Sequence, residues 1–180
     1  MTNTNTILWE VDPQHSSVEF SVKHLMINKI KGVFERFQAQ MSFDPNALEN
    51  MAIEASIDAS SITTRQPQRD EHLKSDDFLD STKYPDITFQ GLRCEPAAEG
   101  RYDISGNLTM HGTTKPVIFH TAFEGMNHDP RGRQRAGFHA IARIDRSEFG
   151  LTFNSPLETG GVVVGNEITI ELNLEAIRIE

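Results

Sequence analysis

The chain has 180 residues, 26 acidic against 17 basic, and a formal net charge of −9 at pH 7. That length suits one domain over residues 1–180 with a sizeable core, while the acidic balance excludes the broad basic face that nucleic-acid binding needs. A single cysteine, Cys94, excludes an internal disulfide and a cysteine-based structural zinc site, and no stretch nears the roughly 20 apolar residues of a membrane span, so no stable membrane insertion is expected.

Residues 1–6 read as disordered. The opening MTNTNTILWE has no basic n-region and no apolar h-region, which implies a cytoplasmic protein as written, or a periplasmic one whose leader was removed. Residues 7–11 and 17–23 read as a short strand pair around the turn-favouring Asp12-Pro13-Gln14. In the second, Val18, Phe20 and Val22 share a face. Residues 24–30 have no clear period. Residues 31–43 read as one long strand, with Val33, Phe37, Ala39, Met41 and Phe43 in one parity, and Asp44-Pro45-Asn46 turns into the next. Residues 51–59 alternate cleanly: Met51, Ile53, Ala55, Ile57 and Ala59 on a dry face, Ala52, Glu54, Ser56 and Asp58 on a wet one.

The alternation stops over residues 61–82, SITTRQPQRDEHLKSDDFLDST. This stretch predicts two short helices, the first capped by Thr63 or Thr64 with Pro67 in its opening turn, the second capped by Ser75 with Asp76 and Asp77 in its first turn. So long an insert between strands is a candidate lid or plug. Strands resume over 86–93, 101–110, 116–125 and 136–144. Residues 145–160 are irregular, with Phe149, Leu151 and Phe153 as anchors. The last strand, 167–179, carries Ile168, Ile170, Leu172 and Leu174 on one face, then Ile177 and Ile179 in opposite phase, which predicts a bulge near Glu175-Ala176. A sheet dry on one side closes on itself or packs against something. With no long helix to cover it, the expected fold is all-β: an antiparallel, lipocalin-like barrel of about eight strands with a short helical insert near 61–82. The dry face mixes bulky residues with Ala39, Ala55, Ala59, Gly106, Ala136, Ala140 and Ala142. Pattern alone leaves a filled barrel and a hollow one equally open.

Seven histidines include no HxH pair and no HExxH helix, so no metal site is expected. His120 and His139 read as a solvated cross-strand pair. No GxSxG elbow is present, and Cys94 has no evident base beside it. Residues 160–165, GGVVVG, lack the Lys-Ser/Thr end of a phosphate loop and read as a loop before the last strand. In Arg69-Asp70-Glu71-His72-Leu73, Asp70 and Lys74 are spaced for a surface pair. Arg69 and His72 share a face, either solvated or closing a barrel mouth over a polar head. Arg131, Arg133 and Arg135 with His128 read as a solvated hairpin tip, the alternative being anion capture.

Several segments in order resemble the YceI-like family. They are Asp12-Pro13-Gln14-His15-Ser16 with Phe20 and His24; Gly32-Val33-Phe34; residues 69–73 with Asp77-Phe78 and Tyr84-Pro85-Asp86-Ile87-Thr88-Phe89; residues 106–112 with Lys115-Pro116-Val117; and Arg146-Ser147-Glu148-Phe149-Gly150. The resemblance runs from about Trp9 onward. Ala39 stands where the family usually has Gly, and Gly91 where it often has Ser. The resemblance implies a lipocalin-like barrel that binds a polyisoprenoid or related long-chain lipid without catalysing a reaction, the alternatives being an enzyme or accessory factor acting on such a lipid, with His24, Asp70 or His72 in acid–base roles, and a stress-linked interaction protein with a filled barrel. It favours the hollow barrel over the filled one. No cofactor is implied beyond a bound lipid such as an isoprenoid quinone or polyprenyl chain. On this reading Phe20, Val22, Phe37, Met41, Ile53, Ile57, Phe89, Leu108, Phe119, Phe123 and Phe138 form the wall, joined by Phe78 from the insert and by Ala140 where space is needed. His24, Arg69 and His72 are the head-group candidates. An exposed sheet face leaves room for a homodimer.

Overall fold

The computed structural model describes residues 6–179. The expected disorder of residues 1–6 therefore lies outside the described residues, except at Thr6, which is exposed coil. The strands are β1 (Ile7–Val11), β2 (Ser17–His24), β3 (Asn28–Phe34), β4 (Phe37–Asp44), β5 (Ala47–Asp58), β6 (Ile62–Thr63), β7 (Asp86–Ala98), β8 (Arg101–Met110), β9 (Thr113–His128), β10 (Gln134–Asp145) and β11 (Val164–Arg178). All pair antiparallel in one sheet that closes through β1 and β11. The result is an eight-position barrel with one short helix, α1 (Pro67–Lys74). No described helix is long and apolar enough to cross a membrane.

The eleven strands fill eight positions because three pairs lie end to end. β1 and β2 do not form the expected hairpin with each other. Both run along β11, β2 from Val164 to Asn173 and β1 from Ala176 to Arg178. The Asp12-Pro13-Gln14 segment is a jog in one bent strand, and Asp12 accepts the Gln14 amide at 3.0 Å. Likewise β3 and β4, expected as one strand over 31–43, are parted by Glu35-Arg36. Together β1–β2 and β3–β4 make one long hairpin whose tip lies in the region without a clear period. That tip is Leu25-Met26-Ile27, with Leu25 and Met26 at positive φ of 52° and 62°. Such turns normally carry Gly or Asn, so two bulky apolar residues gave no turn signal.

The insert forms one helix, not two. Gln66 caps it, its side-chain oxygen accepting the Arg69 amide at 2.5 Å. Thr64 is instead bonded to Asp70. Ser75, expected to start a second helix, ends the first: its amide and hydroxyl both donate to the His72 carbonyl, at 3.1 and 2.6 Å. Residues 76–83 continue as turns, with Asp80 at a positive φ of 47° that a continuing helix does not allow.

β7 runs past the expected 93 and through Pro96. β5 pairs with it only as far as Gly91, so the missing Pro96 amide leaves no gap in that ladder. The bulge expected near Glu175-Ala176 is absent: β11 pairs with β10 unbroken from Glu167 to Ile177. Ile168 through Ala176 keep one inward parity, and Ile179 is simply exposed. His139 pairs with Ala122 and His120 with Ile141, so the two histidines do not face each other. Each bonds its own acid instead, His120 to Asp103 at 2.8 Å and His139 to Glu171 at 2.9 Å.

The barrel ends differ. At one, Trp9 stacks on Phe43 (centroids 4.6 Å, 7°), Phe43 meets the edge of Phe138 at 5.5 Å, and Phe138 meets Phe123 at 5.3 Å. Trp9, Phe43 and Phe138 are buried, which makes a solid aromatic floor. At the other end lie α1, the 76–85 turns and the connector from β10 to β11.

Candidate ligand cavity

Between floor and insert the interior is hollow, with a cavity of about 220 Å³. This exceeds the ~150 Å³ that holds a benzene in an engineered apolar cavity, and falls short of the ~300–1,000 Å³ of drug-sized pockets. It matches a slender chain better than a bulky ring system.

Two glycines keep the lumen open. Phe20 pairs across strands with Gly32, and the tip of its ring lies over that glycine. A Cβ there would stand 2.6 Å from Phe20 Cε1. Phe89 lies similarly on Gly106, where a Cβ would stand 2.6 Å from Phe89 Cζ. With no Cβ beneath them, both ring tips sit closer to the wall than a side chain there allows, while the rings still border the cavity. Ala39, Ala55 and Ala140 add further room in the wall.

Of the wall candidates, Phe20, Val22, Phe37, Met41, Ile53, Ile57, Phe78, Phe89, Leu108, Phe119, Phe138 and Ala140 all border the cavity. Phe123 does not. A register shift between Gly137 and Phe138 pairs it with Phe138 in the floor. Sequence reasoning missed Ile168, Ile170, Leu172 and Leu174 of β11 as wall, although their shared parity was visible.

The three head-group candidates do not border the cavity. Arg69 is a brace: its Nε donates to Thr64 Oγ1 at 2.7 Å and its Nη2 to the Thr64 carbonyl at 3.0 Å. His72 sits outside the roof. Its Nε2 bonds Asp77 at 2.8 Å, and its ring packs edge-on against Phe78 and Phe153. His24 ends β2 opposite Val164 and Asn28, half-buried in the rim. Asp70, expected to pair with Lys74 on the surface, is buried and accepts the Thr64 amide at 2.7 Å and hydroxyl at 2.6 Å. Burial pushes its carboxyl up, but the bonds from Thr64 outweigh this and hold it below the usual carboxylate value. Lys74 pairs with Glu71 instead, at 3.1 Å.

The polar residues bordering the cavity are Glu19, Gln38, Thr121 and Arg146. Thr121 spends its hydroxyl on the Phe119 carbonyl at 3.1 Å. Arg146 follows β10 in the parity of Ala136, Phe138, Ala140, Ala142 and Ile144. A charge continuing a dry register was the signal that could have found it.

Other polar clusters are structural. Arg135 bonds Asp129 at 3.0 Å, Asp12 at 2.8 Å and Glu175 at 2.5 Å, and so ties β10, β11 and the β1–β2 jog together. Arg133 also bonds Asp129, at 2.9 Å, so these guanidinium groups are spent on carboxylates. Ligand atoms of Asp12, His15 and Glu175 lie within 4.8 Å of one another, but Arg135 already supplies the cation there. Cys94 is buried, and burial together with the Glu49 charge pushes its thiol up to about 11. It is therefore a thiol at neutral pH, unsuited to nucleophilic attack.

The YceI-like domain model matches residues 9–176. A UPF0312 protein of Staphylococcus aureus is 37% identical over 165 residues, which is 91% of this chain and 94% of that protein. Burkholderia cenocepacia BcnA superposes with a TM-score of 0.81 at 24% identity, over 92% of this chain and 98% of BcnA. A polyisoprenoid binding domain from Saccharophagus degradans superposes with a TM-score of 0.70 at 12% identity, over 96% of this chain and 99% of that domain.

Proposed function

This chain belongs to the YceI-like domain family, and from that premise we propose that it binds a single-chain amphiphilic lipid, an isoprenoid or another long hydrocarbon, in the barrel interior without transforming it. The observation that carries this reading is the cavity: closed by aromatic rings at one end, walled by aliphatic and aromatic side chains, and roofed by an insert. The polyisoprenoid binding domain shares the architecture only, so the chemistry rests on the wall.

The magnitudes suffice. Each buried methylene contributes about 0.8 kcal/mol, so ten give about 8 kcal/mol. That corresponds to a Kd of about 1 μM before ordering and association costs, which a preformed wall reduces. The tail therefore supplies affinity, and polar groups select the head. Binding without turnover fits a wall in which the Thr121 hydroxyl is spent on the Phe119 carbonyl. Held this way, a lipid is sequestered from water and can be carried.

Organic extraction of freshly purified protein, followed by mass spectrometry, tests the reading. One long-chain lipid per protein is expected, with uptake of an added fluorescent fatty chain after delipidation. Finding no lipid and no uptake overturns the reading; a chemically altered lipid after incubation replaces it with an enzymatic one.

A further inference from the structure

One cation borders the cavity without an ion-pair contact: the exposed Asp145 beside it acts on it through space alone. Arg146 is 3% exposed. Its Nε donates to the Gly165 carbonyl at 2.8 Å, its Nη1 to Leu151 at 2.6 Å and its Nη2 to Val164 at 3.4 Å. The Phe78 ring lies 6.0 Å from its Cζ. These contacts fasten the β10–β11 connector to the start of β11, and they satisfy three of five N–H donors. They do not neutralise the charge. Among the described residues no carboxylate lies within 4.0 Å of the guanidinium. Neighbouring Asp145 is exposed and spends its carboxylate on the Ser147 amide and hydroxyl, at 2.9 and 2.6 Å.

A buried cation without a counter-charge is costly, and proteins keep one where something pairs with it. Fastening a loop to carbonyls does not require a cation, since a neutral amide also donates. The surroundings offset the charge only in part: the Phe78 ring gives a cation–π contact at the edge of its range, and the roof residues Leu73, Leu79 and Leu151 are aliphatic. A guanidinium is, however, well matched to the paired oxygens of a carboxylate or phosphate. It sits at the insert end of the cavity, opposite the Trp9–Phe43 floor. A ligand with its tail on the floor brings its head there.

We infer that Arg146 is the head-group pole of the cavity, and that the ligand is an amphiphile with an anionic oxygen head, a carboxylate or a phosphate. The inference rests on the lipid-binding reading above. The two free N–H donors of Arg146 meet the head oxygens, and the carbonyl bonds hold the guanidinium plane in place. A neutral head of equal chain length leaves the cation unpaired and binds more weakly. In a protein of net charge −9, anion selection requires such an internal cation, because the outer field repels the head.

The test uses the delipidated full chain and three ligands of one tail length: dodecanoic acid, dodecyl phosphate and dodecanol, titrated by calorimetry at neutral pH. Wild type should bind at least one anion tenfold or more tightly than the alcohol, and the better of the two separates carboxylate from phosphate. In Arg146→Met that ratio should fall to within about twofold, with dodecanol affinity retained. Arg146→Lys should keep part of the preference. Should Arg146→Met not fold, the ¹⁵N–¹H signal of the wild-type Arg146 Nε reports instead: it should move with the anions and stay with the alcohol. Equal wild-type affinities for acid, phosphate and alcohol, or an anion preference that survives Arg146→Met, overturn the inference. Failure of all three ligands to bind counts against the lipid-binding reading itself.

Discussion

Replacing Gly32 by Ala tests whether the lumen is open because Phe20 has somewhere else to lie. The new methyl would stand 2.6 Å from Phe20 Cε1, against 3.4 Å for ordinary contact, and the Thr63 carbonyl oxygen 3.0 Å away stops it sliding aside. Phe20 Cζ would lie closer still, so the ring must retreat by about an ångström or slightly more, and the free direction is the cavity it borders. Overpacking of this kind costs about 1–3 kcal/mol. For a chain of this size each kcal/mol lowers Tm by about 2–4 °C, so a fall of about 2–12 °C is expected by calorimetric melting. Uptake of a fluorescent long-chain probe should weaken tenfold or more. Adding Phe20→Leu to Gly32→Ala removes the obstructing ring and should restore most of the uptake. Unchanged melting together with unchanged uptake in Gly32→Ala would refute the idea that a bare glycine holds the ring out of the lumen.

Ala140→Trp places an indole on the cavity wall and should abolish probe uptake while far-UV circular dichroism stays that of the wild type. Exchanging Leu25-Met26 for Asn-Gly relieves two positive-φ positions and should stabilise the barrel by about 1–2 kcal/mol in urea unfolding, given ~1 kcal/mol per strained residue. The Arg135 guanidinium, with help from His15, lowers the Asp12 carboxyl from 3.8 to about 2 in the folded protein. A depressed folded pKa means protons bind the unfolded chain more tightly. The stability contributed by Asp12 is thus complete above its unfolded pKa near 4 and is lost as pH falls towards 2. An Asp12→Asn variant should be less stable than wild type at pH 6, and the gap should narrow steadily between pH 4 and pH 2 in acid titrations of the unfolding midpoint.

The barrel and most of its wall were legible because alternation of period two assigns each side chain to a face before any contact is known. The inward direction of Phe37, Met41, Ile53, Ile57, Leu108 and Phe119 followed from that rule, whereas a hollow interior for them to line was implied by the family resemblance. The strand junctions were not legible. Nothing local distinguishes Asp12-Pro13-Gln14 as a jog from the same residues as a turn, since the choice depends on β11 lying alongside both halves. Leu25-Met26 hid a hairpin tip because turn signals are written in Gly and Asn. The head-group candidates lie off the cavity border for a related reason. His72 and Arg69 stood out as polar residues in an insert, but their bonds to Asp77 and Thr64 draw them away from the lumen. Arg146 counted only as part of the Arg146-Ser147-Glu148-Phe149-Gly150 resemblance and not as a cavity residue, although it continues the inward register of β10.

The seam between β1 and β11 joins Trp9 to Arg178, Glu10 to Ile177 and Val11 to Ala176. These partners sit at opposite extremes of the described sequence, as do those of β2 and β11 along the same seam, whereas the other neighbours around the ring are closer along the chain. Loop-closure entropy makes such a contact the most expensive to form early and the natural one to form late. During synthesis, β11 emerges after all the other described strands. Until then the polypeptide is an open, curling meander whose greasy face has no enclosure. The container comes into being only when its two rims meet, which cannot happen before β11 has been made.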